Sequence, residues 1–177
     1  TAVELGIQLG KSSNAQEVSI VVSARNNSTI NSALITHVED IKVSPRRTII
    51  TLSNTSVASA ITAVGGMDSD KVKFVFPNVK VANIVTSELE EHNVTAFASA
   101  NDSLMSYHLS ASQTTLPATV KDLMLDISPS EVDDLTNNRI NPIVFKEGRG
   151  FLYASDYTTS SNPSLAQNTV RKAKDFF

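Results

Sequence analysis

The chain has 177 residues, a length that suits one domain, with or without an appendage, and allows a sizeable core. Hydrophobic residues make up 41% and charged residues 19%, a composition typical of folded proteins and not of disordered ones. The net charge of -3 argues against a general nucleic-acid binder, which needs many cations to neutralise phosphates. No apolar run approaches the roughly 20 residues of a membrane helix, and the absence of Cys excludes disulfides and thiolate sites.

The first quarter of the chain combines short β-branched runs with one ambiguous helical pattern. Residues 18–24 are typical of a buried strand. Apolar residues in 30–41 fit a helical stripe, but β-branching leaves the assignment open. Residues 41–43 and 48–52 are better interpreted as two strands around a turn that contains Pro45.

The middle of the chain predicts a helix followed by a βαβ unit. Asn54 is a candidate cap for a helix over residues 55–64, which Gly65 and Gly66 end. Residues 72–76 form a strand that stops at a proline. We then expect a helix from the apolar stripe over residues 79–89 and a parallel strand over residues 94–98.

The last third begins with an extended segment at residues 119–127. Ser128 or Ser130 then caps a short helix that runs to Asn138, with Glu131 near its positive end. A final helix is predicted to begin at Ser164 and to run at least to Phe177.

Between these two helices lies a β-hairpin signal. Residues 143–145 and 151–153 are β-prone runs, and the connection between them contains Gly148 and Gly150. Both glycines can adopt the positive φ angles that such turns often need. Pro142 favours an extended conformation at Asn141, just before the first run.

These elements predict an α/β fold: a mixed sheet with a βαβ core, an antiparallel β-hairpin and a C-terminal helix. The glycine pair at 65–66 marks a weak boundary. We therefore expect residues 1–66 to be an N-terminal appendage or the start of the domain, and residues 67–177 to be its core.

No metal or cofactor site is predicted. His37, His92 and His108 lack the spacing of a zinc helix. The two glycine clusters form neither a phosphate-binding loop nor a dinucleotide fingerprint. A helix cap and a hairpin turn account for them.

A catalytic alternative is a small α/β hydrolase with its site between Ser99 and His108. Ser99 and Ser103 would be candidate nucleophiles, with Asp102 and His108 close in sequence. The chain lacks the Gly-x-Ser-x-Gly elbow that exposes such a nucleophile.

The C-terminal helix carries Arg171, Lys172 and Lys174, a local basic patch on an acidic chain. Cations near a helix C-terminus are favoured by the helix dipole, so the patch needs no partner to explain it.

Two blocks of sequence resemble the contractile phage tail sheath proteins. The first block comprises Asn141, Pro142 and Ile143, followed by Gly148, Arg149 and Gly150. The second is the helix segment Asn168, Thr169, Val170, Arg171 and Lys172.

This resemblance implies an α/β domain with appendages and a structural role without catalysis. The subunit would polymerise helically around a tail tube and contract to drive the tube through the host envelope. Its partners would be neighbouring sheath subunits and the tube protein, not nucleic acid or a membrane interior.

The resemblance also implies how the chain is placed in such an assembly. Arg171, Lys172 and Lys174 would lie on a tube-facing helix. We expect the chain to be a fragment without the C-terminal arm, monomeric when isolated. The complete protein would belong to the virion tail and be assembled in the bacterial host cytoplasm.

Overall fold

A computed structural model describes residues 19–25, 27–40, 45–52 and 56–176. The strands in these ranges are β1 (Ile20–Val21), β2 (Arg47–Ile50), β3 (Val72–Phe76), β4 (Val79–Ala82), β5 (Leu89–His92), β6 (Val120–Leu123), β7 (Ile140–Lys146) and β8 (Gly150–Tyr153). The helices are α1 (Ser28–Asp40), α2 (Val57–Val64), α3 (Val94–Leu104), α4 (Pro129–Asn137) and α5 (Asn168–Phe176).

The strands form two sheets. The larger has the order β1-β2-β3-β7-β8, in which the first four strands are parallel and β8 returns antiparallel to β7. The smaller is antiparallel, in the order β5-β4-β6. The predicted α/β class, with a mixed sheet and an antiparallel hairpin, is therefore confirmed.

Both faces of the larger sheet are buried, because successive strand residues point to opposite sides. Ile50 and Phe74 pack with α1, α2 and α4 in one core cluster. Ile49 and Val75 pack with α3 and the smaller sheet in the other. Burying each such side chain contributes about 1.5–3 kcal/mol, so these two strands hold the two layers together.

Several local predictions are confirmed. Strand β3 has the predicted bounds, and α2 ends before Gly65. Ser128 caps α4 in a reciprocal capping box: its hydroxyl accepts from the Glu131 N–H, and its own N–H donates to the Glu131 carboxylate at 2.9 Å. In the hairpin turn, Gly148 and Gly150 have φ angles of 75° and 79°.

The prediction for residues 79–98 is wrong. The expected helix is instead the β4–β5 hairpin, and the expected strand is helix α3. The apolar stripe did not indicate a buried helix face, because Ile84 and Val85 lie at the hairpin turn and are 99% and 90% exposed. Asn93 starts α3, since its side-chain oxygen accepts from the Thr95 N–H at 2.9 Å.

The parallel centre of the sheet exists, but not through the βαβ unit that was predicted. The parallel connections run from β1 through α1 to β2 and then through α2 to β3. The open assignment at residues 30–41 resolves as helix α1, and Arg47–Ile50 forms the expected strand. The strand predicted at residues 41–43 lies outside the described residues.

Two helix starts differ from the predictions. Helix α2 is capped by Ser56, whereas Asn54 lies outside the described residues. Helix α5 begins at Asn168 instead of Ser164. The Ser164 N–H donates to the Asn162 side chain at 3.0 Å, a local turn that competes with helix. The proposed division at residue 66 stays a prediction.

Candidate functional site

Asn141 ties the hairpin to the centre of the larger sheet. Its side-chain amide donates to the carbonyls of Phe74 and Tyr157, both at 2.8 Å. Its side-chain oxygen accepts from the Tyr157 N–H at 2.6 Å and the Ser155 hydroxyl at 3.2 Å. The residue has no exposed surface, so these bonds replace all of its contacts with water.

The rest of the predicted structural motif surrounds the same hairpin. Pro142 lies opposite Phe76 in the parallel register, and its carbonyl accepts from the Ala154 N–H at 2.9 Å. Arg149, between the two turn glycines, donates to the Gln113 carbonyl at 2.7 Å. The motif residues thus fix the hairpin to its neighbours.

A group of charged side chains lies beside this sheet, and all are buried except the partly buried Arg47. We call it the ion cluster: Arg47, Lys73, Asp102, Asp156 and Lys172. The Lys73 ammonium lies 2.7 Å from the Asp156 carboxylate and 3.3 Å from that of Asp102. Asp102 also faces Arg47 at 3.5 Å and Lys172 at 3.6 Å. The cluster joins β2, β3, α3, α5 and the segment after β8.

Neutral groups complete the hydrogen bonding of the two carboxylates. The Asn168 amide donates to both Asp102 and Asp156, each at 3.0 Å. Asp156 also accepts from the Ala111 N–H at 2.8 Å and the Ser110 hydroxyl at 3.2 Å. Buried charges are tolerated when they are paired and hydrogen-bonded in this way.

Burial and charge oppose each other in the pKa values of the cluster. Burial raises the pKa of the Asp156 carboxyl, but the Lys73 ammonium and the Ala111 N–H outweigh it, so that pKa lies below its ordinary value. Burial lowers the pKa of Lys172, although Asp102 and Asp156 act against this. Burial is the main cause that raises the pKa of the Tyr153 hydroxyl, and the negative charges of Asp102 and Asp156 raise it further.

Acid is expected to weaken the fold through Asp156. Because its folded pKa is lowered, its contribution is fully present above the unfolded pKa of about 4 and is lost as the pH falls through the folded pKa. Urea unfolding between neutral pH and about pH 3 should give a falling free energy of unfolding. The variant Asp156→Asn should have a shallower fall, and parallel curves would contradict this assignment.

The predicted basic patch does not form one exposed surface. Arg171 is buried and pairs with Asp70 at 3.0 Å, and Lys172 is buried in the ion cluster. The side chain of Lys174 is 56% exposed and lies 3.1 Å from Asp70. Burial raises the pKa of Asp70, but its bonds to Lys174 and Arg171 bring it below the ordinary value. The docking role of these cations stays a prediction.

The residues of the catalytic alternative do not converge. The Ser99 hydroxyl donates to the Ala96 carbonyl in its own helix at 2.9 Å, and Ser103 is exposed. Asp102 is held by the cations of the ion cluster. His108 is exposed, with its ring against Tyr107 at 5.4 Å between centroids.

The remaining histidines are separated from each other. His37 is buried with Nε2 at 3.0 Å from Arg46, and His92 is half exposed at 3.9 Å from Glu90. Among the described residues, no group of three or more acidic or histidine side chains is placed to hold a metal ion. Within the same ranges, no helix is long and apolar enough to cross a membrane.

Sequence reasoning missed the ion cluster because its members lie up to 125 positions apart, from Arg47 to Lys172. One local signal was present. Lys73 interrupts an otherwise apolar strand that is buried along its whole length, and a lysine there requires a buried partner.

No family model and no curated protein matches the sequence. Solved structures do match. The helical sheath of the anti-feeding prophage in its contracted state has a TM-score of 0.73 and 18% identity, covering 98% of this chain and 47% of that chain. A sheath tail protein from Listeria innocua has a TM-score of 0.74 and 12% identity, over 97% and 39%.

A third match is the contracted sheath complex of PVC, an extracellular contractile injection system, with a TM-score of 0.72 and 12% identity over 90% of this chain and 45% of that chain. The chain thus spans less than half the length of each of these proteins. The resemblance seen in the sequence is confirmed at the level of the fold, which is the fold found in contractile sheath proteins.

Proposed function

We propose that this chain is part of a tail sheath subunit from a contractile phage or a related injection machine. In this role the subunit polymerises helically around a tail tube and contracts to drive the tube through the host envelope. The observation that carries the proposal is the match of nearly the whole chain to sheath proteins of several contractile systems.

The internal contacts suit a subunit that moves as a rigid body. Rotation of whole subunits about their interfaces is one of the ways in which assemblies rearrange in concert. The ion cluster and Asn141 connect strands, helices and the segment around residues 154–157 through buried hydrogen bonds. Such cross-links favour movement between subunits over deformation within one.

Neighbouring sheath subunits and a tube protein are the partners that this function requires. Of the three cations on α5, Lys174 is the one whose side chain is largely exposed, and it is our candidate for a tube contact. Arg171 and Lys172 would act indirectly, by fixing α5 to the domain. The dispersal of Ser99, Asp102 and His108 agrees with a structural role.

Electron microscopy of the complete gene product tests the proposal. Expressed alone, it is expected to form hollow tubes with helical order. The 177-residue chain by itself is expected to sediment as a monomer. The proposal would be overturned by a gene product that forms no tubes over a range of concentration and salt, even together with its co-encoded tube protein.

A further inference from the structure

The β4–β5 hairpin ends in large apolar side chains that no other described residue covers. Ile84 and Val85 are 99% and 90% exposed, and Leu89 on the returning strand is 52% exposed. Turns favour small and polar residues, so two adjacent β-branched residues at a tip have no local explanation. We call residues 79–92 the acidic hairpin, because they carry Glu88, Glu90 and Glu91 against one lysine.

The turn of the acidic hairpin is well ordered by its own hydrogen bonds. The Asn83 side chain accepts from the Val85 N–H at 2.8 Å, and the Asn83 carbonyl accepts from the Ser87 N–H at 2.8 Å. The Asn83 N–H in turn donates to the Glu88 carbonyl at 2.8 Å. A turn organised in this way presents its apolar tip in a fixed position, which lowers the entropy lost on docking.

The carboxylates beside this tip are free to meet a cation. Glu90 and Glu91 accept from the amides of Asn83 and Asn78, which are neutral partners. Within the described residues, no lysine or arginine lies within ion-pair distance of Glu88, Glu90 or Glu91. Of the basic side chains in the described ranges, His92 alone approaches one of these carboxylates, 3.9 Å from Glu90.

The β7–β8 hairpin has the complementary character. Phe145 is 63% exposed, and its ring lies 5.2 Å from that of Phe151. Along the chain, Lys146 follows Phe145 and Arg149 lies in the turn, whereas the hairpin carries the single carboxylate of Glu147. We call residues 140–153 the basic hairpin.

Both hairpins extend from the carboxyl ends of the parallel strands of the larger sheet. Strand β7 continues past Pro142, which is paired with the last residue of β3, and β4 starts three residues after β3 ends. The exposure of Ile84 and Phe145 means that the two hairpins do not cover each other within one subunit. Each copy therefore carries two unlike, complementary surfaces.

We propose that the acidic hairpin of one copy docks on the basic hairpin of another copy. This inference rests on the proposed function, since a contact between unlike surfaces propagates from copy to copy when it is not returned reciprocally, as a helical assembly requires. Ile84 and Val85 would pack on the Phe145–Phe151 rings, with Glu88 and Lys146 as flanking charges. Two hairpin tips bury less than a standard interface, so the contact is weak in isolated chains.

Disulfide trapping tests the contact, because the chain has no native Cys. Thr86→Cys and Glu147→Cys place single thiols in the exposed turns while keeping Ile84, Val85 and Phe145. When the two variants are mixed and oxidised, docking predicts mixed dimers roughly fivefold above random pairing, the effect of about 1 kcal/mol. As a matched control, Thr86→Cys mixed with Asn137→Cys should give random pairing.

Charge reversal then tests the chemistry of the contact. Within the described residues, the side chains of Glu88 and Lys146 make no hydrogen bond or ion pair, so Glu88→Lys and Lys146→Glu leave the fold intact. Either reversal alone should reduce the excess of mixed dimers, and the two together should restore it. Random pairing of the unreversed variants, or no response to reversal, would overturn the proposal. If the cysteine variants pair at random but the complete gene product forms tubes, the docking proposal fails and the sheath function is still supported. If mixed dimers form but the gene product makes no tubes, the sheath function fails and the hairpin contact is still supported.

Discussion

The substitution Asp102→Asn is expected to destabilise the fold by about 3–5 kcal/mol, the usual effect of removing one partner from a buried ion pair. Asp102 lies within 3.6 Å of Lys73, Arg47 and Lys172. Because an asparagine has nearly the same shape, the decrease in the free energy of unfolding reports the loss of the charge and not a change in packing. Lys73, Arg47 and Lys172 would each lose the negative charge of a carboxylate that they contact.

Equilibrium unfolding in urea measures this effect, and Asp122→Asn is the matched control. Asp122 pairs with Lys80 at 2.7 Å, closer than any contact of Asp102 to a cation, but its side chain is 44% exposed. Exposed pairs contribute at most about 1 kcal/mol, so the control should change stability little. Equal effects of the two substitutions would mean that the ion cluster does not hold the domain together.

The elements that the sequence predicted correctly are those stabilised by residues close together along the chain. The capping box of Ser128 and Glu131 spans one helical turn, and the hairpin with Gly148 and Gly150 spans one connection. Strand β3 stands out as a β-branched and aromatic run before a proline. In each case the interactions that select the structure lie within a few positions along the chain.

The error at residues 79–98 has the opposite origin. Strand β4 is defined by pairing with β5 on one side and with β6, some 40 residues later, on the other. A periodic pattern does not reveal whether its apolar residues face a core or a partner. Ile84 and Val85 fit a helical stripe, although in the structure they are exposed at a turn.

The sheath-like motif residues were found by resemblance, and their physical roles became clear only from the structure. Asn141 could be named from its position before Pro142, but its partners lie at residues 74, 155 and 157. The basic residues of α5 illustrate the reverse case. Their spacing suggested one basic surface. In the structure, however, Arg171 is buried in a pair with Asp70, and Lys172 is buried in a pair with Asp102.

The substitution Asn141→Ala is expected to lower the free energy of unfolding by about 2–4 kcal/mol. Each buried polar group left without a partner costs about 1–3 kcal/mol, and this change removes the partner of the Tyr157 N–H and a donor to two carbonyls. Urea unfolding measures the loss. Asn138→Ala is the control, since that side chain is exposed and makes one bond, to the Asp134 carbonyl at 2.8 Å.

Asn141→Asp separates hydrogen bonding from packing, because it keeps the shape and removes the two amide donors. A carboxylate there would face the carbonyls of Phe74 and Tyr157 without exposure to water, so its pKa should rise in the folded state. A raised folded pKa means that the variant is most stable in acid and loses stability as the pH rises above about 4. This trend is opposite to the one expected from Asp156. If Asn141→Asp were as stable as the parent chain at neutral pH, Asn141 would not be the residue that fixes the hairpin to β3, and the rigid subunit inferred from it would have to be held together elsewhere.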